Sequence, residues 1–175
     1  MHRLTIAGVI CGAVSSLICI IAIASPRWLA ADLDFAEVYL GLWKNCSKDY
    51  KTGYEKCELK DIIPDWTIAT LFLEMAGLVL IFGAVLLETV HVCIPRYNQD
   101  AGKMPGLYSI ISGLVITVGA IIWAVKYKDD ELLAMCHLSG AFSLAIISAA
   151  MSVTAGSLFI MGWRAQPREH SYVAL

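Results

Sequence analysis

The sequence predicts a mainly α membrane protein: four spanning helices bundled together, with one small extracellular domain pinned by a disulfide. Three observations predict it. Of the 175 residues 58% are hydrophobic and only 16% charged, where a soluble domain carries about 25% charge. Four apolar segments reach the roughly 20 residues that a helix needs to cross a bilayer. The one large polar stretch, between the first two segments, holds closely spaced tryptophans and cysteines.

The first segment, Leu4–Ala24, follows His2-Arg3 and ends in Ala22-Ile23-Ala24. That outline resembles a cleavable signal peptide, but its apolar run exceeds the usual 7–15 residues or so. It is read as a retained first span. The others are residues 67–90, 105–125 and 138–163. Four spans leave no room for a separate soluble domain, so residues 1–175 form one domain.

Residues 25–66 form the large loop. Glu37-Val38-Tyr39-Leu40-Gly41-Leu42-Trp43 is rich in β-branched and aromatic residues, Asp49-Tyr50-Lys51-Thr52-Gly53 is a turn cluster, and Tyr54-Glu55-Lys56-Cys57-Glu58-Leu59 alternates in polarity. This pattern predicts a hairpin with a Cys46–Cys57 disulfide between its arms. With no histidine nearby, a metal site is disfavoured. Trp28 and Trp43 are expected as sheet core or as anchors at the headgroup level.

The remaining connections are short: residues 91–104 between spans two and three, and residues 126–137 as a second outer loop. Lys and Arg are spread too evenly to orient the chain. Paired cysteines belong on the oxidising side, and Asn45-Cys46-Ser47 is a glycosylation sequon, accepted only there. Both termini, including the polar tail 164–175, are then cytoplasmic.

Trp28, then Gly41-Leu42-Trp43, then Cys46 and Cys57, set in the first loop of a four-span chain, resemble the superfamily of claudins, peripheral myelin protein and epithelial membrane proteins. The layout extends the resemblance over nearly the whole chain. It implies a left-handed four-helix bundle capped by a small antiparallel extracellular β-sheet, at the plasma membrane and in places at cell junctions. The chain departs from claudins in three ways. Pro64-Asp65-Trp66-Thr67 lacks the usual arginine, the second outer loop lacks an aromatic-proline adhesive segment, and the tail does not end in Tyr-Val. These departures weigh against paracellular strands.

Several residues invite a functional reading. Glu74 lies about two turns inside the second span, where a charge costs roughly 2.5–3.5 kcal/mol on insertion scales. It should face either a core hydroxyl or a neighbouring membrane subunit. Glu88 and His91, near the inner interface, should reach solvent. Gly8 and Gly12, and Ser148, Ser152 and Gly156, are small-residue steps that let helices approach closely within the bundle. Cys93 is a candidate for palmitoylation at the cytoplasmic end of span two. Cys136 has no evident partner. Val173 and Leu175 match the last positions of a PDZ-binding tail.

No cofactor motif or catalytic constellation is visible, and His2, His91, His137 and His170 are scattered. No basic-aromatic patch points to nucleic acid. The expected partners are the lipid bilayer, other copies or related tetraspans, and a PDZ scaffold. The leading expectation is a claudin-like protein of lateral and cell-to-cell contact. The alternative is an auxiliary subunit of an ion channel or receptor, since calcium-channel gamma and glutamate-receptor regulatory subunits share the superfamily fold.

Overall fold

The computed structural model describes residues 2–93, 103–129, 133 and 135–165. The elements run α1 (His2–Ala24), β1 (Leu29–Asp32), β2 (Ala36–Leu40), β3 (Lys44–Asp49), β4 (Glu55–Leu59), α2 (Asp65–Cys93), α3 (Met104–Asp129), β5 (His137–Leu138) and α4 (Gly140–Arg164). All four helices are long and apolar enough to cross a membrane. They form a ring in which α4 packs between α1 and α3, and α2 closes it. Val173 and Leu175 lie outside the described residues.

Local chemistry sets the helix ends. Pro64 precedes α2, and its carbonyl accepts from the N–H groups of Thr67 and Ile68 at 2.9 and 3.1 Å. Pro105 falls in the first turn of α3, where its missing N–H costs nothing. Lys126 and Lys128 sit in the last turn of that helix, facing the negative end of its dipole.

Along α2 the inward face reads Thr67, Thr70, Glu74, Gly77, Ile81, Ala84, Glu88. The alternating steps of three and four residues are those of a packed helical seam. Without a hydrophobic drive between helices in lipid, small residues and hydroxyls hold such seams together. Ser15 Oγ donates to the Ser148 carbonyl at 2.8 Å and Ser148 Oγ returns to the Ser15 carbonyl at 3.0 Å, clasping α1 to α4. Ser109 and Ser152 clasp α3 to α4 in the same way, at 2.8 and 2.7 Å. Ser112 Oγ donates to the Gly77 carbonyl across α2 and α3. Gly8 meets Phe159, Gly12 meets Val85 and Gly156 meets Gly106, so the small-residue steps serve packing within the bundle.

One end of the bundle carries the sheet. Its order is β4-β3-β2-β1-β5, and every neighbouring pair is antiparallel. Cys46 lies opposite Cys57 on β3 and β4, and the two are joined by a disulfide. The turn between them is the expected one: Asp49 Oδ1 accepts from the Lys51 and Thr52 N–H groups, and Gly53 takes a φ of 67°, a conformation that glycine adopts without strain.

Three expectations change. The strand expected to run through Trp43 stops at Leu40. Gly41 turns against Pro26, where a Cβ would lie 2.7 Å from the Pro26 Cα, and Leu42 is driven fully into the core. The hairpin bridged by the disulfide is therefore β3–β4, with β2 as a separate strand. Finally, Leu138 does not open the fourth helix, and His137 before it is not loop. They pair with Ala30 and Leu29 as a fifth strand, and α4 starts at Gly140.

The disulfide spans 11 residues of separation, a loop whose closure contributes about 3 kcal/mol by chain entropy. Cys57→Ser is expected to melt β4 away from β3 while leaving the four helices formed. Hydrogen exchange of the 55–59 amides checks this, with the α3 amides as the unchanged reference.

Candidate interaction site

The core beneath the sheet is built on Trp28. The residue is fully buried, and its indole N–H donates to the Ala22 carbonyl at 2.8 Å. Its ring meets Trp123 edge-on at 5.3 Å and Phe142 at 6.3 Å. Trp43 is 40% exposed at the turn nearest the bundle, the level where tryptophans anchor. Of the two motif tryptophans, Trp28 is thus the core residue, while Trp43 stays partly exposed.

Beside this core, between the sheet and the top of α2 and α3, lies a cleft of about 730 Å3. Its floor includes Trp66 and Trp123, whose rings stack at a tilt, 4.9 Å apart. Its wall includes Asn45, Lys60, Asp61 and the apolar Leu59 and Ile62. Leu59 and Ile62 are 78% and 86% exposed. The Lys60 ammonium lies 5.7 Å above the Trp123 ring. Burial pulls its pKa below the ordinary lysine value.

Asn45 stands mid-strand between Leu40 of β2 and Glu58 of β4, with its side-chain oxygen buried. A glycan attached there would fill the cleft. Cys46, Cys57 and Glu55 sit close enough to hold a metal ion, but the disulfide removes both thiolates.

Glu74 is fully buried and faces the bundle interior. In the isolated chain Glu74 therefore lies on the inward seam of α2 rather than on its outer face. Nor does it pair with a core hydroxyl: neither carboxyl oxygen has a hydrogen-bond partner among the described residues. Gly119 makes room for it, since a Cβ there would lie 3.3 Å from Oε1. Glu88, expected in solvent, is buried on the same seam. Cys93 is exposed at the end of α2. Cys136 is half-buried against the Trp28 cluster, and burial pushes its thiol pKa up.

The outward helix faces differ in a way the sequence reading missed. On α1 and α2 these faces carry large side chains, among them Ile10, Leu17, Phe72, Val79 and Phe82. On α4 the exposed face includes the row Ser143, Ile147, Ala150, Thr154, Ser157 and Met161, small and hydroxylated at its centre and flanked by Ile146 and Val153. Thr154 and Ser157 each donate back to the carbonyl four residues earlier, so neither hydroxyl is left unsatisfied. The signal was present as small residues on both sides of α4, but only the inner set had been assigned a purpose.

At the end away from the bundle, the β1–β2 and β3–β4 turns bring exposed Phe35 and Tyr50 together, with the Tyr50 N–H donating to the Phe35 carbonyl at 3.2 Å. Residues 5–164 match the family model described as Lipoma HMGIC fusion partner-like protein.

Proposed function

Because the chain belongs to the lipoma HMGIC fusion partner-like family, a branch of the claudin, peripheral myelin protein and epithelial membrane protein superfamily, we propose that it is an auxiliary subunit. It would bind the transmembrane helices of an ion channel or receptor in the plasma membrane, with its sheet outside and its termini in the cytoplasm. The family is one of structural, scaffold-type four-span proteins rather than catalysts.

The observation that carries this reading is the outward row of α4. Lipid tails favour no particular side chain, whereas a helix partner gains van der Waals contact where small residues let backbones approach. Ala150, Thr154 and Ser157 offer that approach on a surface no other helix of the chain covers. The second outer loop supports a lateral partner over one on a facing cell. Its last residue, His137, pairs with Ala30 in β5 along β1, beside Leu138 against Leu29. The exposed aromatic tip at Phe35 and Tyr50 would then touch the partner's outer domain.

Affinity purification from native tissue in mild detergent tests this. A stoichiometric channel or receptor subunit is expected, and Ala150→Phe with Ser157→Phe should reduce its recovery about tenfold, the effect of losing ~1.4 kcal/mol. Val79→Phe on α2 should leave recovery unchanged. Recovery of only the chain itself, junction proteins and scaffolds would return the reading to cell-to-cell contact, with the Phe35–Tyr50 tip as the contact surface.

A further inference from the structure

Lys60 is half-buried in the cleft and makes no ion pair with any described residue; its recorded contact is with the Trp123 ring. Asp61, next in sequence and lining the same cleft, is likewise unbridged. The other charged pair on the wall, Lys56 and Glu58, is already joined to itself. The cleft therefore presents one unspent cation beside one unspent carboxylate. A buried donor accompanies them: Trp123 is fully buried, lines the cleft, and its indole N–H has no acceptor among the described residues. Buried polar groups are rarely left so.

Position narrows the ligand. The cleft reaches Pro64 and Trp66, at the very start of α2. It therefore lies where a bilayer's headgroups meet its acyl chains, the level at which tryptophans gather. The nearly bare side chains of Leu59 and Ile62 form an apolar ledge on the same rim. In water that exposure costs roughly 25 cal/mol per Å2, whereas against an acyl chain it costs nothing. The volume of about 730 Å3 falls in the roughly 300–1,000 Å3 range of small-ligand sites.

We infer that this cleft binds the zwitterionic headgroup of an outer-leaflet phospholipid. Its phosphate sits at Lys60 and the Trp123 N–H, its ammonium at Asp61, and one acyl chain lies over Leu59 and Ile62. A polypeptide from a partner would satisfy the apolar ledge, but it has no need of an opposite-charge pair set side by side. The inference goes beyond the auxiliary-subunit reading and does not depend on it.

The test uses the full chain in mild detergent, in an Asn45→Gln background so that no glycan can enter the cleft. The probe is a phosphatidylcholine carrying a diazirine near its glycerol, with labelled peptides mapped by mass spectrometry. Label is expected to concentrate on residues 59–66 and on the peptide holding Trp123. Lys60→Met, which keeps the apolar stem, should reduce it roughly tenfold through loss of the charge-assisted contact. Lys44→Met should not. Unlabelled phosphatidylcholine should compete and dioleoylglycerol, which lacks the phosphate, should not. An intact disulfide on a non-reducing gel confirms that each variant has folded, and Lys60→Gln provides a second variant. Label spread evenly over the outward helix faces, label indifferent to Lys60→Met and Lys60→Gln, or equal competition by dioleoylglycerol would overturn the proposal. So would binding of free inorganic phosphate with no lipid label, or Lys60-dependent crosslinking to a co-purified protein. The assay needs no partner subunit, so its failure and that of the auxiliary reading are told apart.

Discussion

Trp28→Ala is expected to cost about 3–5 kcal/mol, the usual loss for a buried tryptophan, and to keep most of the protein from folding to a state that reaches the cell surface. The side chain does two jobs. Its ring fills the space between the sheet and the tops of α3 and α4, edge-on to Trp123 and Phe142. Its N–H also satisfies Ala22, one of the last carbonyls of α1, which has no partner within the helix. Trp28→Phe separates the two: it keeps much of the packing and drops only the hydrogen bond, so it should lose about 1–2 kcal/mol. Trp43→Ala, at a 40% exposed position, should lose less still. The fraction at the surface, together with the melting temperature of detergent-solubilised protein, ranks the three. Equal behaviour of the two alanine variants would show that the core is not organised around Trp28.

Gly156→Val is expected to separate α3 from α4. A Cβ at this position would lie 2.6 Å from the Gly106 carbonyl oxygen and 3.0 Å from the Ile110 N–H nitrogen. Both are backbone atoms of the facing helix, so no rotamer change relieves the clash. Overpacking a filled interior costs about 1–3 kcal/mol, and pushing the helices apart also endangers the Ser109–Ser152 clasp one turn away, whose bonds average about 0.6 kcal/mol each in membranes. Gly83→Val is the matched control, because nothing lies within 4 Å of the added atom. Monodisperse elution in detergent should be lost for the first and kept for the second. If both elute alike, the α3–α4 contact is softer than its geometry states.

What the sequence disclosed was what local chemistry controls. Long apolar runs announced all four helices, because in hydrocarbon a helix is the way a single segment satisfies its own backbone. Asp49 to Gly53 announced its turn through side-chain acceptors and a glycine at positive φ. Facts that depend on distant chain were hidden. Nothing in His137-Leu138 marks a strand, since two residues acquire that state only from the open edge of β1. Gly41-Leu42-Trp43 looked extended because its residues favour strands, yet the close approach of Pro26 and the burial of Leu42 override that preference. The candidate sites divide in the same way. The disulfide and the motif tryptophans were visible as residues, whereas the cleft exists only because a sheet folds over the ends of two helices. Glu74 could be placed against the bundle or a partner on energetic grounds alone, whereas the space that Gly119 leaves beside it is visible only in the packed helices.

The pairing of β1 with β5 also fixes an order of assembly. The β3–β4 hairpin is local, and its disulfide needs no later part of the chain. The opposite edge of the sheet must wait, because its last strand is made only after the third helix. Until then β1 offers an unpaired ladder of donors and acceptors, the kind of edge to which other chains add. The arrival of Leu138 beside Leu29 covers that edge. The fifth strand, two residues long, thus closes an edge that the first four strands cannot close by themselves.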